Sequence, residues 1–500
     1  MRSKKAGLNI VISIVYQIVS TACALIIPRL ILLSFGSTYN GVVQSVTQLM
    51  SMISLLTLGV AGATRVSLYK SLAVDDIEAT SRIIKANQLY MRKVGVALCI
   101  YTILLTVFYP VISHNSLSVW ENVLLVLIVS MSSISEYFFG VTYRTLLQAD
   151  QREYIYSIIM IIARITSAIL VYTLIRMSCN VFLVYFLQAC LYATVPVALS
   201  IYVSKRYTIN KKAEKDPNAL DQQGAVAFQS IANIIHINTD ITLLTLFADA
   251  KIISVYSVYN IITGKIRMIM RVFTNGLEAA FGNMWAKGEY ENIKRRFRTY
   301  EFLMNTFVSV VFACLAVLLV PFIKLYTKGV TDVEYINVTF AVLMIIAEGI
   351  YCIREPYVTI VQAAGKYQET KKAAGIEAAI NLLVSILLVW KLGLIGVVIG
   401  TIAANVFRTI HYIWFTYTKL LDKRYREEIG RLTILAINIS STLFTSFYFG
   451  LTDINTWVEW VVNAFIVFGM VSIVSVVTGI IFYRSEMTQS LNVLRKMVRK

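Results

Sequence analysis

The chain has 500 residues, a formal net charge of +18, an apolar fraction of 57% and a charged fraction of only 15%. Its mean hydropathy of +0.69 indicates a membrane protein, in which basic loops facing anionic lipid explain the charge better than nucleic-acid binding does. The six cysteines contain no CxxC pair, and the three histidines are scattered, so neither a disulfide framework nor a metal centre is predicted.

Apolar runs near the length that crosses a hydrocarbon core, about 20 residues, recur along the whole chain. They predict an all-α polytopic fold with about fourteen transmembrane helices. The predicted spans are 10–34, 42–69, 94–112, 119–146, 154–176, 179–203, 224–248, 252–282, 301–326, 335–362, 373–391, 394–418, 432–451 and 456–482. The first 28 residues resemble a signal peptide, but their apolar run is long for one, so we expect the segment to be retained.

The distribution of basic residues predicts the orientation of these spans. With the N-terminus inside, most of the 46 Lys and Arg fall in cytoplasmic segments. The outer segments hold five of them, namely Arg176, Lys251, Lys324, Lys328 and Lys391. This asymmetry predicts that both termini are cytoplasmic.

An internal repeat divides the chain. The segment Tyr143–Ala149 (YRTLLQA) recurs 214 residues later as Tyr357–Ala363 (YVTIVQA). At a shift of 213, Glu78, Arg82 and Lys85 fall on Glu291, Arg295 and Arg298. Because each repeat contains six spans, the two copies should have the same orientation in the membrane, as in transporters built from duplicated halves.

The repeat predicts a domain organisation with four segments. Residues 1–206 form an N-terminal lobe of spans 1–6, and 207–223 a cytoplasmic linker. Residues 224–420 form a C-terminal lobe of spans 7–12. Residues 421–500, with spans 13 and 14 and a basic cytoplasmic tail, have no counterpart in the repeat and form an appended helical hairpin.

The eighth predicted span contains the clearest functional pattern. Six polar or small residues are spaced three or four apart and therefore share one helical face: Asn260, Gly264, Arg267, Arg271, Asn275 and Glu278. Such a face is costly in lipid, so it should line water or protein. Arg267 and Arg271 are predicted to bind an anion. The further predicted binding residues are Asn260, Asn275, the nearby Lys265 and, on the first span, Arg29. Alternatively, the arginines of the eighth span pair with acids in neighbouring helices.

Two charge pairs are candidates for gates. Arg65 and Glu278 lie toward the inner ends of their spans, and Arg29 and Asp240 lie in the outer third of theirs. Pairing within one lobe is the competing interpretation. Asp240 and Glu348 are also candidates for coupling transport to H+ or Na+. The remaining charges inside spans cannot be ranked from one sequence, and they include Glu136, Arg164, Arg354, Glu377 and Arg408.

Several short stretches resemble one family. They are Pro28-Arg-Leu30 with Phe35-Gly36, the run Leu146–Arg152, and Thr239-Asp240 followed by Leu243-Leu244 and Val255-Tyr-Ser257. With fourteen spans, they resemble the polysaccharide-flippase (Wzx-type) branch of the multidrug/oligosaccharidyl-lipid/polysaccharide exporter superfamily. The resemblance implies two pseudo-symmetric six-helix lobes that form a V, with helices 1, 2, 7 and 8 lining the cavity.

The resemblance also implies a function. The expected activity is the flipping of undecaprenyl-pyrophosphate-linked oligosaccharide repeat units from the inner to the outer leaflet, by alternating access, for O-antigen, capsule or exopolysaccharide synthesis. The expected location is the bacterial plasma membrane, with membrane lipid and other polysaccharide-assembly proteins as partners and with no nucleic acid or cofactor apart from the coupling ion.

Other functions remain open alternatives. A multidrug cation antiporter of the same superfamily would need an acidic, aromatic cavity, which the basic eighth span disfavours. A peptidoglycan lipid-precursor flippase would share the mechanism. An enzyme is not expected, because the outer loops are short and no catalytic acid–base constellation lies beside one.

Overall fold

The structure is a computed structural model that describes residues 2–57, 60–210, 234, 238–421, 438–440 and 453–489; at 2–6, 61, 271–273, 275 and 276 it describes the backbone only. The described part of the chain is helical and contains no β-strand. An isolated bridge joins His114 and Asp249. The predicted all-α polytopic architecture is therefore confirmed.

The α-helices are numbered here in chain order. They are α1 Arg2–Phe35, α2 Ser37–Ser51, α3 Val60–Ala73, α4 Ile77–Ile112, α5 Val119–Ser135, α6 Val141–Ala149, α7 Glu153–Arg176, α8 Val181–Arg206, α9 Ala250–Ala286, α10 Tyr290–Tyr326, α11 Val338–Ala363, α12 Tyr367–Leu392, α13 Leu394–Phe415 and α14 Trp457–Phe482. A 3-10 helix, Met52–Thr57, follows α2, and π-helical turns at Glu136–Gly140 and Thr416–Leu420 follow α5 and α13.

Among the described residues, nine helices are long and apolar enough to cross a membrane, and a tenth span results if the bent pair of residues 37–57 and 62–73 is counted as one. These ten correspond to predicted spans 1–6, 9, 11, 12 and 14. Predicted spans 8 and 10 are occupied by α9 and α11, whose apolar sequences are interrupted by charged residues. Predicted spans 7 and 13 lie mostly outside the described residues.

Local sequence signals account for where several helices begin. Asp76 caps α4, its side chain accepting a hydrogen bond from the Ala79 amide at 2.9 Å. Ser118 and Glu121 form a reciprocal capping box at the start of α5. Each cap supplies partners for amide groups that the first helical turn leaves without one.

The helix boundaries follow the sequence repeat. α4 and α10 begin 213 residues apart, as do α8 and α13, and α7 and α12 begin 214 apart. The turn after α6 has the same three backbone hydrogen bonds as the turn after α11: 150→146, 151→148 and 152→147 in the first copy, 364→360, 365→362 and 366→361 in the second. The central residue has positive φ in both, 57° at Gln151 and 69° at Gly365. We call this shared structure the repeated turn.

The chain forms two compact units. Unit 1 comprises residues 1–257 and 329–333, and unit 2 comprises 258–328 and 334–500. Unit 1 is built around apolar clusters that include Val42, Leu98 and Leu146. Unit 2 contains an aromatic-rich cluster that includes Phe297 and Phe312. The domain boundaries predicted from the repeat, after residues 206, 223 and 420, stay a prediction.

Candidate functional site

The polar face of α9 is held by contacts within unit 2. Asn260 and Arg267 lie two turns apart, and the Asn260 side-chain oxygen accepts a hydrogen bond from Arg267 Nη2 at 3.3 Å. Gly264 lies between them, and a Cβ atom at that position would be 3.6 Å from Asn260 Oδ1 and 3.9 Å from Arg267 Nη2. A methyl group at position 264 would therefore make ordinary van der Waals contacts with both side chains.

Arg267 also forms an ion pair with Glu348 of α11. The distance from Arg267 Nε to Glu348 Oε2 is 3.0 Å, and the two side chains are only 19% and 10% exposed. The guanidinium lies over the Tyr351 ring, 5.5 Å from its centroid. Arg267 thus pairs with an acid of a neighbouring helix, which is the alternative that the sequence left open, and this acid is the Glu348 that was predicted to couple transport.

A second ionic cluster connects α11 with α12 and α13. Glu377 is its centre: it lies 2.5 Å from Arg354 Nη1 and 3.3 Å from Arg408 Nε. Arg408 is 2% exposed, and it donates to the Thr370 carbonyl oxygen at 2.9 Å and to the Tyr412 hydroxyl at 3.0 Å. These bonds to the guanidinium offset part of the desolvation cost of burying it.

Tyr351 connects the two ionic clusters. Its ring packs against Arg354 at 4.3 Å and against Arg267 at 5.5 Å. Cation–π contacts of this kind stabilise a charge where solvent is scarce. The first repeat has Tyr137 at the equivalent position, and Gly140 where the second has Arg354, so the positive charge at that site belongs to the second copy.

Sequence reasoning missed a buried carboxylate on α10. Glu301 is fully buried and accepts hydrogen bonds from the Tyr357 hydroxyl at 2.7 Å and the Tyr417 hydroxyl at 2.8 Å. The one available signal was Tyr357, which opens the second copy of the repeated YRTLLQA/YVTIVQA segment. In the repeat register Tyr357 corresponds to Tyr143 and Glu301 to Gln88, so the carboxylate belongs to the second copy alone.

In unit 1, small polar side chains of α2 contact the segment 238–257. The contacts are Asn40 Nδ2 to Ser254 Oγ at 2.7 Å, Ser45 Oγ to Thr245 Oγ1 at 2.7 Å, Ser51 Oγ to Asn238 Oδ1 at 2.9 Å, and a bond between Gln48 and Asn238. These contacts connect spans 2, 7 and 8 of the sequence map, three of the four that the family resemblance assigns to the cavity.

The backbones of Gly41 and Ala250 lie against each other at the centre of this contact. A Cβ atom on Gly41 would be 1.7 Å from the Ala250 carbonyl oxygen, a separation that no side chain can adopt. Nearby, Asp332 accepts hydrogen bonds from the amide and the hydroxyl of Ser37, both at 2.7 Å, and so caps the start of α2 from a distant part of the chain.

Asp240 is buried in unit 1, where its carboxylate accepts a hydrogen bond from the Tyr256 hydroxyl at 2.8 Å. Arg29 is half-buried in α1. The predicted pairing of Arg29 with Asp240 stays a prediction.

The remaining predicted residues lie on α3 and α9. Lys265, Glu278 and Arg65 are all half-buried. Arg65 belongs to unit 1 and Glu278 to unit 2, and their predicted pairing stays a prediction. The side chains of Arg271 and Asn275 lie outside the described ones, although their backbone is helical. Across the described ranges, no three His, Cys, Asp or Glu side chains are placed to hold a metal ion.

The first copy of the repeated turn carries a polar cluster beyond the ends of the predicted spans. Asp150 accepts from the Tyr207 hydroxyl at 2.5 Å and pairs with Arg152 Nε at 2.8 Å. Burial, together with the bond to Asp150, raises the pKa of Tyr207 well above its usual value. Asn9 of α1 binds the same turn, accepting from the Tyr154 amide at 2.8 Å and donating to the Gln151 carbonyl at 2.9 Å.

Comparison with known proteins identifies the fold. No protein-family model matches the sequence, and a search of curated proteins found no match. Among solved structures, the lipid II flippase MurJ in an inward closed conformation is similar with a TM-score of 0.72 and 16% identity, covering 95% of this chain and 99% of that one.

Two multidrug transporters are similar as well. An inward-facing MATE family transporter of the MOP superfamily has a TM-score of 0.59 and 12% identity over 78% of this chain and 93% of its own. The MATE multidrug transporter DinF-BH has a TM-score of 0.58 and 14% identity over 84% and 96%. The chain is therefore a multi-pass helical membrane protein with the fold that a lipid II flippase and MATE multidrug transporters share.

Proposed function

We propose that the protein is a flippase that moves undecaprenyl-pyrophosphate-linked oligosaccharide repeat units across the plasma membrane for surface polysaccharide synthesis. The fold shared with a lipid flippase and with transporters supports transport rather than catalysis. The observation that supports an anionic substrate is the half-buried Arg267 on the polar face of α9, beside Asn260 and Gly264. A guanidinium binds pyrophosphate oxygens in a planar, bidentate manner.

The ion pair with Glu348 suggests how binding is coupled to transport. Glu348 Oε2 lies 3.0 Å from Arg267 Nε, so a pyrophosphate that binds the Nε edge of this guanidinium displaces the carboxylate. Displacement leaves a buried carboxylate that needs a new counter-charge, and a proton or Na+ would supply it. In this mechanism, Arg267 alternates between Glu348 and substrate, and the exchange links substrate binding to a cation.

Membrane energetics favour export. Moving negative charge outward across an inside-negative membrane is favourable by about 2.3 kcal/mol per charge per 100 mV. With the N-terminus inside, as the basic loops predict, the substrate would be loaded from the cytoplasmic leaflet and released to the outer one.

A peptidoglycan lipid-precursor flippase is the second candidate. The observation in its favour is the similarity to the lipid II flippase over 95% of this chain. Both substrates are lipid pyrophosphates, and the two candidates differ in the attached sugar. A multidrug cation antiporter is the third candidate, on the likeness to MATE transporters. The arginines of unit 2 disfavour an organic cation near α9.

The test is flipping in proteoliposomes that contain a fluorescent undecaprenyl-pyrophosphoryl oligosaccharide. We expect wild-type protein to flip the lipid and the double variant Arg267→Ala/Arg271→Ala to lose at least about tenfold in rate, which is about 1.4 kcal/mol in the activation free energy. The matched control is Arg164→Ala, which removes an arginine inside predicted span 5 that packs over Tyr192 at 5.4 Å.

Three results would separate the candidates. Flipping that is unchanged in the double variant would show that the two arginines have no role in substrate binding. Equal flipping of a muramyl-pentapeptide lipid would favour the peptidoglycan precursor. Failure of the wild type to flip either lipid, together with efflux of organic cations, would favour the antiporter.

A further inference from the structure

The duplicated basic motif has a distinct environment in each repeat. In the first copy, on α4, Arg82 Nη2 pairs with Glu78 at 2.6 Å, and the two side chains are 52% and 66% exposed. In the second copy, on α10, Lys294 pairs with Glu291 at 2.9 Å, and the two side chains are 26% and 87% exposed. The proposed flipping mechanism uses neither motif.

The second copy lies beside the chain segment that follows α14. This helix packs on α10, where a Cβ atom on Gly479 would lie 3.3 Å from Phe302, and the Tyr483 and Phe302 rings are 5.7 Å apart. Beyond it, Thr299 Oγ1 donates to Gln489 Oε1 at 3.0 Å. The hairpin that has no counterpart in the repeat therefore adds a second wall to the motif on α10.

A pocket of about 200 Å³ lies between these two walls. Its lining is polar and consists of Glu291, Lys294, Arg295, Arg298, Ser485, Glu486 and Gln489. Three cations face two carboxylates, so the lining carries one net positive charge. The motif also ends just before residue 301, where a predicted span begins, which places the pocket at the predicted cytoplasmic boundary of the membrane.

The structure assigns to this pocket the binding of a phosphate group, as a phosphodiester or a phosphate monoester. The headgroup of an anionic phospholipid in the adjacent membrane is the source that we propose. One net positive charge matches the single negative charge of a phosphodiester. Arginine and lysine side chains give charge-assisted hydrogen bonds to its oxygens. Ser485 and Gln489 can donate to further oxygens, and the position at the membrane boundary matches the depth of a headgroup.

The test measures lipid retention by native mass spectrometry of the full-length, detergent-solubilised protein. The probes are dioleoyl phosphatidylglycerol, dioleoyl phosphatidylcholine and glycerol 3-phosphate. We expect wild type to retain phosphatidylglycerol more tightly than phosphatidylcholine. Arg295→Gln/Arg298→Gln should weaken phosphatidylglycerol binding about tenfold or more, because the variant loses charge-assisted hydrogen bonds to the phosphate. The matched control is Arg82→Gln/Lys85→Gln, which removes the same charges from the first copy.

A second variant keeps the proposal testable if the double variant fails to fold. Glu486→Gln raises the net charge of the lining from one to two, and we expect it to strengthen phosphatidylglycerol retention. Equal loss of phosphatidylglycerol binding in the α4 control and the α10 variant would overturn the proposal, because lipid binding would then depend on the overall surface charge. Retention of phosphatidylcholine as tight as that of phosphatidylglycerol would overturn it as well.

The soluble probe identifies the source of the phosphate. Glycerol 3-phosphate that displaces phosphatidylglycerol at equal affinity, with the same loss in the α10 variant, would support the phosphate site and assign it to a soluble ligand. Phosphatidylglycerol that resists this competition would support the site with a lipid as its ligand.

Discussion

Arg267 and Glu348, which are 81 positions apart in the chain, form an ion pair between α9 and α11 with 3.0 Å between Nε and Oε2. A partly buried pair of this kind contributes little net stability, whereas removing one member is costly because the other charge is left buried without its partner. In the proposed mechanism the pair acts as an exchange site, in which the substrate anion and the Glu348 carboxylate are alternatives on the same guanidinium.

The first prediction follows from this competition. In Glu348→Gln, the amide no longer competes as an anion for Arg267, so undecaprenyl pyrophosphate should bind about tenfold more tightly, or about 1.4 kcal/mol. Flipping should nevertheless slow, because no carboxylate is then present to replace the substrate on Arg267 when the substrate is released to the outer leaflet. Binding is measured by fluorescence titration in nanodiscs, and Arg267→Gln serves as the reference without the shared guanidinium. Weaker binding in Glu348→Gln would contradict the exchange mechanism.

The second prediction concerns stability. Glu377 lies between Arg354 and Arg408, so Glu377→Gln leaves two buried guanidinium groups without their carboxylate and should lower the free energy of unfolding by about 3–5 kcal/mol.

Glu369→Gln is the control for this experiment. Its pair with Lys366 is about 40% exposed on both sides, and loss of a surface pair costs at most about 1 kcal/mol. Thermal unfolding of both variants in detergent checks the ranking. A similar loss of thermal stability in the two variants would contradict the structural role of Glu377.

The third prediction tests the contact between α2 and Ala250. Gly41→Ala places a methyl group where the Ala250 carbonyl oxygen lies, so α2 must move away, and buried Ser257, which bonds to Asn40 at 3.4 Å, should become accessible. In a Ser257→Cys protein without other cysteines, maleimide labelling should accelerate about tenfold, equivalent to about 1.4 kcal/mol. Gly62→Ala is the control, because a Cβ atom there has open space around it. Labelling that rises equally in the control would show general loosening.

The fourth prediction is a dependence on alkaline pH. The folded protein raises the pKa of Tyr207 by burial and by the bond to Asp150. A raised pKa contributes stability below the ordinary tyrosine value of about 10, and this contribution is lost as pH rises toward the folded value. Wild type should therefore lose more stability than Tyr207→Phe between pH 9 and pH 11, roughly the window around that ordinary value. Parallel pH profiles of thermal unfolding would contradict this.

The sequence was sufficient to predict the helical architecture, because apolar runs of membrane length are a strong one-dimensional signal. The repeat at 213–214 residues likewise reappears in the starts of α4 and α10, α7 and α12, and α8 and α13. The polar face of α9 was visible because its residues recur at helical spacing. The apolar runs and the polar face depend on positions close together in the chain, and the repeat is found by comparing two short segments of it.

Ion pairs and hydrogen bonds between residues that are distant in the chain were not predictable. Glu348 was recognised as a lone charge inside a span, but nothing in one sequence indicates that it faces Arg267, or that Glu377 joins Arg354 to Arg408. The burial of Glu301 under Tyr357 and Tyr417 was missed for the same reason. The cap that Asp332 provides for Ser37 depends on a loop 295 positions away, and no local pattern encodes it.

The repeated turn has a consequence for how the two halves diverged after duplication. Its three backbone hydrogen bonds and its left-handed central residue are the same at both sites, although one copy has Gln151 and the other Gly365. A left-handed conformation costs a residue with a side chain about 1 kcal/mol more than it costs glycine. The path of the main chain is therefore the same in both copies even where the residue is poorly suited to it, and in the first copy Asn9 binds this path on both sides, at the Gln151 carbonyl and the Tyr154 amide.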